Sequence, residues 1–549
     1  MKKILSLFSF MLFATVLLNS CRNPAYEMNV LFDAEFIKYS VALSMRGANG
    51  EALPNNISVT IEGDDAASIY DYTGTKAIKV AKVNADLAVS TIGVTPKAIP
   101  VGSSEVNFNV IITAPGYEPK NIPVEMVEGQ FRQALDVTLL QSVKPTEAST
   151  VLNRDIALTN GSNPTQIVLT TPTSSTVQTS TTVTIPAGNK FFNAANQELT
   201  GSTLALQVIN FDASDPFSID LFPAGTLNSK NVTDETGKLV EAFFVPAAFA
   251  DVKMFLNGQR IRRFATPITI SLQLDPNYIM ADGEKVKVGD KLPVYSYHVE
   301  EGDFDYHVEG TVANDASGKL SVTFTTDHLT IFIVGEVFIK TENCVAPTLT
   351  FSAPWLGTAN PPAQQEMTLT IFDATNTTKE LGSSLLPIRN GYQVTLDELP
   401  TFAVKYQLKN NAGKVVAEGI IGDPCAGGNI SVAVGQPDGP VLENVTLTLN
   451  VNCPEKGKII VPVFDLWYRP VGTTEFMKLG TTSNGAISTT LLKVGSVYDF
   501  RGVWGDQVKT VNKKTISSLD LSTTVEANGF IGDNAPVSNR ALLIEACKK

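Results

Sequence analysis

Three histidines, five cysteines and the lack of any Gly-x-Ser-x-Gly turn set the chemistry open to this 549-residue chain. Nucleophilic catalysis on an external substrate needs a Ser or Cys held beside a base, and three imidazoles supply little of that base. Two of them, His298 and His307, flank the turn Glu300-Glu301-Gly302-Asp303. Tyr295, Tyr297 and Val299 keep one parity before that turn, and Phe304, Tyr306 and Val308 keep one after it. If both apolar sets face one core the hairpin register is fixed, because a one-residue slip would turn one set outward. The opposite face then carries Ser296, His298, Asp305, His307 and Glu309. Imidazoles and carboxylates in that pattern are able to bind Zn²⁺ or another transition metal, although a solvated polar face is the commoner use and the one expected here. Asp212-Ala213-Ser214-Asp215 lacks the ligand alternation of a calcium loop. No zinc-type Cys/His spacing and no phosphate-binding glycine loop occurs, so no cofactor is expected. Spacing alone neither assembles nor excludes a glycosidase carboxylate pair.

The cysteines carry more information. Lys2-Lys3, the apolar run from Ile4 to Leu18 and the sequence Leu18-Asn19-Ser20-Cys21 form a secretory signal with a lipobox, too short to span a membrane. Residues 1–20 should be removed, Cys21 should carry lipid, and 21–27 should be a tether. Each buried acyl CH₂ contributes about 0.8 kcal/mol to such an anchor. With Lys2 and Lys3 gone, 40 basic side chains face 55 acidic ones, a net −15. That sign argues against nucleic acid and anionic membrane surfaces as partners. The remaining Cys344, Cys425, Cys453 and Cys547 are even in number and suggest disulfides, with three possible pairings. Cys344 and Cys425 bracket one candidate module and Cys453 and Cys547 the next, so Cys344–Cys425 and Cys453–Cys547 are expected.

The elements that must position these residues read as all-β, a tandem of β-sandwich modules of Ig-like or fibronectin-like type behind a lipoprotein signal. Residues 28–142 form the first, where Val106, Phe108, Val110 and Ile112 alternate before the break at Ala114-Pro115-Gly116. Residues 143–180, rich in Thr, Ser, Asn and Pro, read as a linker with too few large apolar side chains to offset ordering entropy. Within it, Ile167-Val168-Leu169 is a candidate edge strand. Residues 181–340 should hold strands at 203–211, 268–274, 293–299, 304–310, 319–325 and 330–336. Further sandwiches are expected at 341–437 and 438–549. Trp355, Trp467 and Trp504 all fall in these last two, where a core position is the expected use and sugar stacking the alternative.

Three stretches resemble known families. Gly47-Ala48-Asn49-Gly50 before Ile57 to Ile61, with the later Ala114-Pro115-Gly116-Tyr117, looks like the carboxypeptidase-regulatory-like sandwich, which implies packing or binding. Trp467-Tyr468-Arg469-Pro470 with Leu492-Lys493-Val494-Gly495-Ser496-Val497-Tyr498 is similar to fibronectin type III modules. Ile185-Pro186-Ala187-Gly188 and His328-Leu329-Thr330 open and close a module resembling the β-sandwich of netrin receptors and ankyrins and the GAIN domain of adhesion receptors, some of which cut themselves at such a tripeptide. That resemblance implies Thr330 attacking the Leu329 carbonyl with His328 as general base. The favoured alternative gives His328 a turn hydrogen bond and makes Thr330 an ordinary strand residue.

The whole resembles an outer-membrane lipoprotein of Bacteroidetes type, exposed on either the periplasmic or the outer face. The expected function is that of a lipid-anchored cell-envelope binding, scaffold or adhesion protein, with a protein or glycan ligand and no enzyme activity beyond self-cleavage. The alternatives are a glycan-binding accessory lipoprotein of a polysaccharide-uptake system and, disfavoured, an envelope hydrolase.

Overall fold

A computed structural model describes residues 30–33 and 38–526, apart from 103, 130, 358–362, 377–378, 411, 437–442, 454–457, 462–463 and 483–484. The signal, Cys21, the tether 21–27 and Cys547 lie outside the described residues. The described chain is all-β, with one five-residue α-helix, Phe217–Leu221, and two 3₁₀ turns. None of its helices is long and apolar enough to cross a membrane. Contacts divide the chain into two units, one of residues 37–355 and 365–439, the other of 1–36, 356–364 and 440–549.

In the first unit, period-two sequence becomes a sandwich. Val106, Phe108, Val110 and Ile112 are all at most 5% exposed while Asn107 faces out. They lie on the sheet Ser58–Glu62, Val106–Thr113, Lys120–Met126. Facing it are Ile69–Asp71, Leu87–Val94, Ser40–Gly47 and Arg132–Leu139, in that order. Tyr39, Val41, Leu43 and Met45 meet Phe108, Val110 and Ile112 in one core.

The middle module is a single sheet path that wraps through ten strands. Its order is Ser149–Ala157, Thr203–Phe211, Leu239–Leu256, Ile331–Ile339, Lys291–His298, Asp303–Asn314, Leu320–His328, Arg263–Gln273, Thr181–Ile185 and Ile167–Thr170. All six strands expected between 203 and 336 are present, but two readings need correction. Ser149–Ala157 is no linker: it pairs residue for residue with Thr203–Phe211, so backbone hydrogen bonds order a segment that its side chains do not. The second is an omission, the 18-residue strand Leu239–Leu256 at the centre of the path. Residues 242–254 are buried without interruption, so the strand shows no alternation by which to recognise it. Pro246 sits in it at a bulge, where a missing N–H is tolerated. Opposite lies Gly335, where an added Cβ would come within 2.7 Å of the Pro246 Cα. Only glycine fits there.

The third module stacks Tyr392–Thr395, Thr348–Ser352 and Asn429–Ala433 on Glu380–Ile388, Gln365–Asp373, Val404–Lys409 and Val415–Ile421. Cys344 and Cys425 form the expected disulfide, 81 residues apart.

In the second unit, Met477–Thr481, Asp465–Pro470, Val497–Trp504 and Gln507–Thr515 form one sheet, and Val445–Cys453 centres the other. The Tyr498 hydroxyl accepts the backbone N–H of Lys493 at 3.1 Å, which pins the corner of the Leu-x-x-Gly-x-x-Tyr turn. Val30–Asp33, expected in the first module, instead runs parallel to Lys458–Val461. Trp467 is 4% exposed and Trp504 packs against the core of this unit. In the first unit, the Trp355 indole donates to the Val434 carbonyl at 3.0 Å.

Candidate functional site

The hairpin forms in the register its patterning requires. Tyr297 lies opposite Phe304, Ser296 opposite Asp305 and Tyr295 opposite Tyr306. Tyr297 and Phe304 turn inward onto Phe222, with ring centroids 4.9 and 6.0 Å away. The other face is the open polar surface expected at Asp305 and Glu309, whose side chains are 47% and 57% exposed, and is partly closed elsewhere. Ser296 is 2% exposed, and the side chains of His298 and His328 are only 28% and 27% exposed.

His328 is what covers that face, and all three histidines of the chain meet there. The His328 ring stands 6.1 Å from that of His298 and 5.4 Å from that of His307, with Phe332 5.8 Å away. Each imidazole also has a polar neighbour. His298 Nε2 faces Asp305 Oδ2 at 3.3 Å, His307 Nε2 the Thr325 carbonyl at 2.9 Å, and His328 Nδ1 faces Asp327 Oδ1 at 3.1 Å. Burial holds His328 below the usual imidazole range, opposed by its bond to Asp327 and reinforced by His307 and His298. The same bond holds Asp327 below the ordinary carboxylate range.

For metal binding, His298 and His307 do share a face, but among the described residues no three His, Cys, Asp or Glu side chains converge on a point that could hold an ion. For self-cleavage, the Thr330 hydroxyl donates to the Tyr297 carbonyl, while the His328 ring faces Asp327 and the Thr326 hydroxyl, 3.3 Å away. Thr330 itself is 3% exposed. Its oxygen is thus held by one strand and the imidazole by another group of side chains. Cys453 ends a described strand, and its expected partner Cys547 lies outside the described residues.

The polar residues that sequence reasoning missed join the first and middle modules. Lys120, 1% exposed, donates to the carbonyls of Asp220 and Phe222, the latter at 2.8 Å, closing the C-terminal end of the short helix. Burial pushes its amine down to about 7, against the opposing pull of Asp220. Beside it, Asn121 Nδ2 donates to the Val299 carbonyl at 2.9 Å, and Asn121 N–H to that of Pro223 at 2.9 Å. Lys253 bridges Asp251 and Glu118, and all three are at most 8% exposed. Burial raises the Asp251 carboxyl, which Lys253 opposes. The third module is tied in by Lys340, which meets Glu241 at 2.6 Å and the Asp397 carbonyl. A cleft of about 190 Å³ opens among the three modules, lined by Glu125, Asp220, Glu380 and Asp397 over Leu369, Ile371 and Tyr392. The signal for these braces lay in charges set within apolar strands, such as Asp251 and Lys253 in Phe249 to Leu256.

No family model and no curated protein matches the sequence. Among solved structures, the TIE protein of Bacillus anthracis aligns over 68% of this chain at 10% identity and a TM-score of 0.12. The chain spans 57% of that protein's length. The shaft pilin SpaA of Lactobacillus rhamnosus GG, as a double mutant, aligns over 33% of this chain and 96% of its own, at 9% identity and a TM-score of 0.16. BcpA, the major pilin subunit of Bacillus cereus, aligns over 89% of this chain and 98% of its own at 10% identity and a TM-score of 0.12. Identities and TM-scores this low assign no family and no activity.

Proposed function

We propose that this chain is a lipid-anchored protein of the cell envelope whose work is binding or scaffolding, in adhesion rather than catalysis. The observation that carries the reading is the bracing of residues 37–439. Three modules that would otherwise be beads on a string are joined by buried polar contacts, Lys120 and Asn121 on the middle module, Glu118 on Lys253, and Lys340 on the Asp397 carbonyl. An enzyme needs one precise pocket, whereas a scaffold needs its modules held in fixed register, and the buried charge here serves register. The glycan-binding alternative gains no support from the tryptophans, since Trp467 is in a core and the Trp355 indole N–H is used internally.

Cells making Cys21→Ala protein test the reading. The protein should leave the membrane fraction or accumulate as precursor, and adherence to surfaces or neighbouring cells should fall to that of cells without it. Unchanged membrane association would defeat the lipid anchor. Unchanged adherence in cells lacking the protein altogether would defeat the adhesive role.

A further inference from the structure

The histidine cluster and the junction between the first and middle modules share one structural piece, the turn from His298 to Asp303. On one side of the turn His298 enters the imidazole stack. On the other, Asn121 of the first module donates its side-chain amide to the Val299 carbonyl at 2.9 Å and reaches the Glu300 carbonyl at 3.4 Å. The turn is closed tightly by Gly302 N–H donating to the His298 carbonyl at 2.7 Å. At Gly302, with φ of +77°, a Cβ would stand 3.1 Å from the Asn121 amide, so the first module packs directly on the turn.

We propose that the three histidines form an acid-sensitive latch, whose protonation loosens the His298–Asp303 turn and with it the contact between the first and middle modules. His328 is the middle ring of the stack and stands between the other two. Charging any one imidazole raises the cost of charging its neighbours, because like charges at this separation in a half-buried site are poorly screened. The groups facing the stack are Asp303 and Asp305 from the far side of the turn, Asp327 beside His328, and Arg263, paired with His328 across the sheet. Glu300 is already bound by Arg260 and Arg262 and is not free to neutralise the cluster. The carboxylates at hand stand beside His298 and His328, while His307 bonds to the uncharged Thr325 carbonyl. His298 leads directly into a turn whose Glu300 and Glu301 are exposed, and the stack separates by moving that turn.

The sign follows from the position of His328. Its affinity for a proton is lower folded than unfolded, so its stabilising contribution is complete above about 6.5, the ordinary imidazole value, and is lost as pH falls below it.

Amide hydrogen exchange on the full-length protein, with a chelator present, tests the latch. Protection at residues 118–123 and 298–303 should fall at least tenfold between pH 7 and pH 5, after correction for intrinsic rates. In a protein carrying His298→Gln, His307→Gln and His328→Gln the fall should disappear. An equal fall in that variant, or none in the wild type, overturns the proposal. Should the triple variant not fold, imidazole proton resonances decide: the His328 midpoint should lie below the ordinary imidazole value and move up in His307→Gln, and a midpoint indifferent to that change overturns it as well.

Discussion

Two polar clusters, one bridging the first and middle modules and one within the middle module, behave in opposite ways. Lys253, Asp251 and Glu118 are all but sealed from water, whereas the imidazoles of His298 and His328 keep roughly a quarter of their surface in it. In the sealed cluster each charge is needed by the others, because taking an ion out of water costs several kcal/mol that only a partner returns. In the half-open one, water and nearby carboxylates can receive a proton or a charge, so the cluster can change state without unfolding the module. Burial thus separates a fixed brace from a titratable one.

The sharpest way to break the comparison is to remove the centre of the sealed cluster. Lys253→Ala should cost about 3–5 kcal/mol in denaturant unfolding, since it leaves two carboxylates buried without a cation. Replacing all three residues together by Leu or Met should recover most of that loss. A triple variant as unstable as the single one would mean that the cluster matters for shape and not for charge.

Lys120 comes next and tests the same idea by pH. Its folded pKa of about 7 lies below the unfolded value of 10.5, so between them the unfolded chain binds the extra proton. Stability should therefore rise with pH across that window and level off above it, by roughly 3–5 kcal/mol in all. In Lys120→Met this part of the rise should vanish, and chemical denaturation at pH 7 and pH 10 measures it.

The smallest effect belongs to the open side. Glu300 meets Arg260 at 2.6 Å and also contacts Arg262, but it is 46% exposed, and pairs of that kind are worth about 0–1 kcal/mol. Glu300→Gln should shift the unfolding midpoint barely beyond error. A loss near that of Lys253→Ala would erase the distinction between the two clusters.

What could be read beforehand follows the same division. The hairpin register was legible because Tyr295, Tyr297 and Phe304 bury one face and leave the other polar, which is the one pattern a period of two can signal. Leu239–Leu256 was not, because neighbours on both faces make every position apolar. The polar composition of residues 143–180 misled for a related reason: Ser149 and Thr150 are buried at 0% and 3% exposure in an edge strand held by its backbone, and composition is silent about backbone pairing. His298 and His307 could be placed on one face from local spacing. His328 could not join them on paper, because Asp303–Asn314 and Leu320–His328 pair only near Val312 and Val322, and the rings meet where the two strands have parted.

The short excursion at residues 356–364 sets an order of events for synthesis. The chain leaves the third module after Trp355, contributes nine residues to the second unit, and returns at Gln365. Partners of that excursion, such as Asn444, whose amide donates to the Leu356 carbonyl at 2.8 Å, and Ser488, whose carbonyl accepts from Gln364 N–H at 3.4 Å, emerge from the ribosome some 90 to 120 residues later. Until those partners have been made, Leu356 and Gln364 lack the groups that bond them in the folded chain. For anyone cutting the protein into pieces, the same thread means that a fragment ending near residue 437 carries Leu356 and Gln364 without the groups that bond them here. The cut that separates the two units cleanly is not a single one.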